Sequence, residues 1–282
     1  MTTAKDLMRT TFVQVDINDT AAQLIGKCKK AHSYSALVFE KGKYLGLVDK
    51  DFLLARHIDP TEMRIHNAVN KRSKSKTQFF VPTLSTQDDL KTICKKLSSA
   101  SAHMLPVVEK DKVLGVVHVA DVVREVSTEY KTATCDQIAS MKPITAKPTD
   151  KLSTLLTLFA KGGFDHLPVV DERNEMLGML TFGDIMKEPN VWDNQSQKLP
   201  KAASHQPGKR SGYPSGEKKS VLDLPAQNFM SRKDLCCTPP ETKITKAIDQ
   251  MEQNEVCSIV LVKNNKPVGI LTMKDICDDY AK

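Results

Sequence analysis

The chain has 282 residues, 40% hydrophobic and 27% charged, with a formal net charge of +7. This is globular composition, enough for two ordinary domains. It contains no apolar run of transmembrane length, no signal-peptide core in MTTAKDLMRT, and seven cysteines without CxxC spacing. A membrane protein, a disulfide framework and a metal centre are therefore not expected, and free thiols in a reducing cytoplasm are.

One pattern recurs four times along the chain: a helix-like apolar run, two short apolar strands, a glycine and a new helix start. Ala21 to Gly46, Leu90 to Gly115, Leu152 to Gly178 and Ile244 to Gly269 are separated by 25, 25, 26 and 25 residues. A fixed internal period of this kind decides the architecture before any local feature does. The first copy occupies 1–58, with EKGK at 40–43 as a hairpin turn. A connector, 59–76, carries the basic run KRSKSK at 71–76, and the second copy, 77–128, turns at EKDK, 109–112. Cys28 and Cys94 fall where the repeat places core residues.

The third copy, 132–188, shows how one unit folds. PITAKP at 143–148 is a short extended run that Pro148 keeps from joining a helix. Leu152, Leu155, Leu156 and Phe159 then recur at helical spacing, and Lys161-Gly162-Gly163 ends the helix. LPVVDERNEMLGML at 167–180 reads as two strands about a polar turn, followed by Thr181-Phe182-Gly183-Asp184 and a second helix. Residues 189–222, rich in Pro, Gly, Ser and Lys and holding Trp192, are expected to be a mobile basic linker. The fourth copy, 223–282, turns at KNNK, 263–266. Each copy is thus a β-α-β-β-α unit too small to cover its own apolar face. Four of them predict an α/β fold (α+β type) of two pseudo-symmetric pairs.

Three and six residues after the repeat glycines stand Asp49 and Phe52, His118 and Asp121, Thr181 and Asp184, and Thr272 and Asp275. Copies three and four read G-h-h-T-x-x-D. Thr-x-x-Asp at a strand–helix junction is a capping-box-like helix start. It also suits a nucleotide. A helix N-terminus attracts phosphate, Thr supplies a hydroxyl, and an Asp can accept two hydrogen bonds from a ribose diol. Backbone groups near Thr145 and Ala146, with their equivalents Cys237 and Thr238 and, in copy two, Thr83, would hold an adenine.

The h-P-V-V…h-G-h-h-T-x-x-D signature, as in HLPVV (166–170) with GMLTFGD (178–184), resembles the cystathionine-β-synthase (CBS) domain. The four-copy arrangement is similar to archaeal four-CBS proteins and the gamma subunit of AMP-activated kinase. The resemblance implies two Bateman modules whose clefts bind AMP, ADP, ATP or S-adenosylmethionine as regulatory ligands. By position, Asp184 and Asp275 would contact ribose, and Thr181 and Thr272 phosphate or ribose. Copy one has Phe52 in place of the Asp, and copy two keeps Asp121 but has His118 for Thr. His103 and His166 stand where basic phosphate-facing residues are common in nucleotide-binding members, and for each a hydrogen-bonded structural role is an equal alternative. The second module is therefore expected to carry the site. No P-loop, catalytic carboxylate pair or metal spacing is present, so the expected role is a non-catalytic sensor acting on an unidentified protein target. A homodimer and an intramolecular disc both remain open. A nucleic-acid adaptor using the basic linkers, or a scaffold with vestigial clefts, is the alternative reading.

Overall fold

A computed structural model describes residues 2–31, 33–49, 64–67, 70–71, 81–100, 102–162, 166–181, 184–185, 223–233 and 235–282. Phe52, most of KRSKSK, and the linker 189–222 lie outside the described residues. In chain order the first copy contributes α1 (Ala4–Leu7), β1 (Gln14–Asp16), α2 (Ala21–Lys30), β2 (Ser35–Glu40) and β3 (Lys43–Asp49). Then come β4 (Asn70–Lys71), α3 (Leu90–Ser99), β5 (Met104–Glu109), β6 (Lys112–His118) and α4 (Val119–Val126). The second half contains β7 (Ser140–Met141), α5 (Leu152–Gly162), β8 (His166–Val170) and β9 (Met176–Thr181). It closes with β10 (Cys237–Thr238), α6 (Ile244–Gln253), β11 (Ser258–Lys263), β12 (Lys266–Thr272) and α7 (Met273–Ala281).

Local chemistry accounts for these elements. Thr20 caps α2 by accepting from the Gln23 amide, while Gln23 reaches back to the Thr20 amide at 2.7 Å. Ala21, Leu24 and Cys28 then fall on one buried stripe. Asp89 caps α3 through the Thr92 amide at 2.9 Å, and Ile93, Cys94 and Leu97 are buried. Three hairpins turn on paired positive φ values, at Lys41 and Gly42, Lys110 and Asp111, and Asn264 and Asn265. Two consecutive left-handed residues are the mark of a type I′ turn, whose twist matches the strands it joins.

In every copy a lead residue pairs parallel to the first hairpin strand: Val15 with Val38, Leu84 with Val107, Ala146 with Val169, and Thr238 with Leu261. The outer edge of each sheet is then completed by a segment from the paired copy. β4, which precedes copy two, pairs with β3 of copy one, and Arg9 pairs with Val116 of copy two. β7, near the start of copy three, pairs with β12 of copy four, and Ser231 of copy four pairs with Met179 of copy three. Equivalent backbone bonds seat each exchanged segment: Ala4 N–H to Asp88 O, Ile65 to Asp19, Cys135 to Thr242 and Ala226 to Asp150, at 2.8–3.0 Å. The repeat glycines permit this exchange. A Cβ on Gly115 would lie 2.6 Å from the Arg9 carbonyl oxygen, and one on Gly178 2.5 Å from that of Ser231.

The two pairs share a helical interface. α7 packs against α3 and α4, and α6 against the 3-10 turn Ser127–Tyr130. Buried residues of copies one, two and four form one continuous core, which includes Leu37, Ile93, Val122, Ile248 and Ile276. Copies one and three have their own smaller cores around Leu24 and Leu155. Polar ties cross the same interface. Arg124 meets Glu252 at 2.9 Å, Tyr130 donates to Asp279 at 3.0 Å, and Lys274 donates to the Ala100 carbonyl at 2.9 Å. All seven cysteines are thiols, and no helix among the described residues is long and apolar enough to cross a membrane.

Candidate functional site

In the second module the two Thr-x-x-Asp segments adopt one geometry. The Thr181 amide and hydroxyl donate to Asp184 Oδ2 at 3.0 and 2.7 Å, and the Asp184 amide returns to Thr181 Oγ1 at 3.0 Å. For Thr272 and Asp275 the three distances are 2.8, 2.8 and 3.1 Å. Capping is therefore made in full, and each Thr hydroxyl spends its proton within the box. Each box sits at the end of its hairpin, where Thr181 lies opposite His166 and Thr272 opposite Ser258. His166 Nδ1 and Ser258 Oγ approach to 2.6 Å, both buried, and join the two strands. The boxes of copies three and four are thereby tied together across the pseudo-two-fold.

The Asp275 bonds use Oδ2 alone, leaving Oδ1 without a partner among the described residues. Burial pushes its carboxyl above the ordinary carboxylate value, against the pull of the Thr272 amide and hydroxyl. Such a carboxylate gains from any further donor brought to it. Ala146 is buried and spends its N–H on Pro168 O and its carbonyl on Val170 N. Thr145 precedes it and is half-buried. Cys237 and Thr238 hold the same place in copy four. The Cys237 thiol is pushed up by burial, and Thr238 is hydrogen-bonded to Thr242 at 2.8 Å. The lead strand and the strand ending in the box flank one central strand. They lie about 10 Å apart, the span of a nucleoside.

The first module differs. His118 caps α4 with its ring, Nδ1 accepting from the Ala120 amide at 3.2 Å. Burial, with nearby His103 and Arg9, lowers its pKa to about 4, so the ring is neutral with its proton on Nε2. Asp121 makes no box with it and faces Arg9 instead. Arg9 Nη2 donates to Oδ1 at 2.7 Å and Nε stands 2.7 Å from Oδ2. Thr83 gives its carbonyl to Lys96 at 3.1 Å. The spacing of the repeats does not foresee the Arg9 contact, because Arg9 comes from the segment exchanged between copies. Among the described residues no group of three or more His, Cys, Asp or Glu could hold a metal ion.

The CBS domain model matches residues 4–55, 80–128, 135–190 and 226–282. The chain belongs to the CBS domain family. A protein of the ribosomal RNA operon of Thermofilum pendens is 23% identical over 253 residues, covering 85% of this chain and 78% of that one. Protein MJ1225 of Methanocaldococcus jannaschii, a proposed archaeal homologue of g-AMPK, superposes with a TM-score of 0.80 at 15% identity, covering 99% of this chain and 100% of that one. A protein of Pyrococcus horikoshii superposes with a TM-score of 0.64 at 16% identity, with 99% and 100% covered. These likenesses show the four-CBS fold with its two Bateman modules. The inosine-5'-monophosphate dehydrogenase of M. jannaschii is 28% identical over 130 residues, 46% of this CBS chain but 24% of that enzyme.

Proposed function

We propose that this CBS protein is a non-catalytic sensor whose second Bateman module binds an adenosine compound, with AMP preferred over ADP, ATP and S-adenosylmethionine. One observation carries the reading: two Thr-x-x-Asp boxes of matching geometry are joined through the buried His166–Ser258 contact. Asp184 and Asp275 supply acceptors for ribose hydroxyls, and the start of α7 behind Thr272 favours a phosphate. Thr145, Ala146, Cys237 and Thr238 flank the adenine on the lead strands. The basic side chain within the fourth box, Lys274, is docked on Ala100 O, which favours one phosphate over three.

The route to a partner runs through α7. This helix begins at the Thr272 box and ends packed on α3 of the first module. A ligand that prefers one setting of α7 shifts the module–module interface, and a protein target that prefers the same setting is regulated. Equilibrium dialysis of the whole chain against AMP, ADP, ATP and S-adenosylmethionine tests this reading. Saturable retention of one of them is expected. Retention of none, by protein that melts cooperatively, would leave the four repeats as a scaffold.

A further inference from the structure

Four equivalent backbone positions lie against the residue that follows each repeat glycine: Asn70 on Leu47, Arg9 on Val116, Ser231 on Met179 and Ser140 on Ile270. All four do the same work with their backbones, completing the sheet of the paired copy. Only Arg9 carries a side chain long enough to reach the helix start beyond the strand. Its guanidinium forks over Asp121, Nη2 to Oδ1 and Nε to Oδ2, both at 2.7 Å. The counterparts Asp184 and Asp275 are held by their own threonines instead, and in copies three and four the covering position is a serine.

The fork comes from outside and fits imperfectly. The Arg9 side chain is 53% exposed, whereas that of Asp121 is 15% exposed. Asp121 Oδ2 is buried and accepts no well-aligned hydrogen bond among the described residues, despite the close Nε. Arg124 stays 3.9 Å from Oδ1 and is committed to Glu252. A buried carboxylate oxygen lacking an aligned donor is unstable relative to one that has it. Two hydroxyls of a ribose would supply two aligned donors to the same oxygens.

We infer that Arg9 is a built-in competitor for the ribose position of the second repeat. It occupies the Asp121 acceptors and holds that cleft in a state of lower affinity, so that ligand binding favours the second module. The identity of the ligand rests on the function proposed above; the competition itself rests on the Arg9–Asp121 geometry and on the three shorter side chains at equivalent positions. Arg9 is seated by its own backbone, N–H to Val116 O at 2.8 Å and Val116 N–H to its carbonyl at 2.9 Å. Replacing its side chain therefore leaves the segment in place. A partly exposed fork of this kind weakens a competing ligand by about tenfold.

Adenosine and AMP are titrated into the Asp184→Ala, Asp275→Ala chain, with and without Arg9→Gln, and then with Asp121→Asn added. Arg9→Gln is expected to tighten adenosine binding about tenfold, and Asp121→Asn to remove the gain. Unchanged adenosine affinity in a folded Arg9→Gln chain overturns the inference. Weakened AMP binding with unchanged adenosine binding also overturns it, by making Arg9 a phosphate contact. Should Arg9→Gln fail to fold, Arg9→Lys keeps the charge without the fork and is read the same way. Parallel titration of the wild-type chain separates this test from that of the second module. AMP binding there without any gain from Arg9→Gln sinks only the competitor, and a gain from Arg9→Gln with no second-module binding sinks only the site proposed at Asp184 and Asp275.

Discussion

Asp275→Ala separates capping from ligand recognition, because the two roles predict losses of different size in different assays. The carboxylate accepts from the Thr272 amide and hydroxyl, both at 2.8 Å. Removing it strips α7 of half its capping box, while Thr272 Oγ1 keeps the amide of residue 275. Loss of a cap costs about 1 kcal/mol, and release of a desolvated carboxylate offsets part of that. The melting temperature should fall by about 1–2 °C, the scale for a chain of this size. A ribose diol loses two hydrogen bonds to a charged acceptor, about 3 kcal/mol in total, or over a hundredfold in affinity. Differential scanning calorimetry and AMP titration on the same preparation read both numbers. A variant that melts slightly lower and binds AMP as tightly as wild type would refute the ligand role and leave Asp275 a cap alone.

Two glycine substitutions should act with opposite signs. Gly178→Ala drives a Cβ to 2.5 Å from the Ser231 carbonyl and should destabilise by about 1–3 kcal/mol, whereas Gly26→Ala in mid-α2 meets nothing within 4 Å and should stabilise by up to about 1 kcal/mol in urea unfolding. A double-mutant cycle on His166→Phe and Ser258→Ala should show coupling of about 1 kcal/mol or more, since each single change strands a buried polar atom. His118, held near pKa 4 against an unfolded value of 6.5, takes up its proton earlier when unfolded. Stability should therefore fall as pH drops from about 6.5 towards 4, by on the order of 3 kcal/mol, and His118→Gln should flatten that slope.

The period, the hairpin turns and the helix starts were legible in the sequence because each is written in neighbouring residues. EKGK, EKDK and KNNK turn where left-handed φ values recur, and Thr181-x-x-Asp184 and Thr272-x-x-Asp275 form the expected boxes. The exchange of segments between paired copies was not legible. Its signal is the close approach at Gly115 and Gly178, and a glycine alone does not say which backbone passes it. For the same reason the Arg9 contact of Asp121 was not legible, since Arg9 lies 112 residues away in a segment that the repeat alignment does not include. His166, read either as facing phosphate or as hydrogen-bonded within the structure, is joined to Ser258, a partner that needs the pseudo-two-fold to be seen.

Isothermal titration calorimetry with AMP, ADP, ATP and S-adenosylmethionine, on the wild-type chain and on the Asp184→Ala, Asp275→Ala double variant, tests the central claim most directly. Saturable binding by wild type, tightest for AMP and lost in a double variant that still melts cooperatively, is the predicted result. Binding of equal strength in both chains, or heat from neither, would contradict a sensor built on the second module.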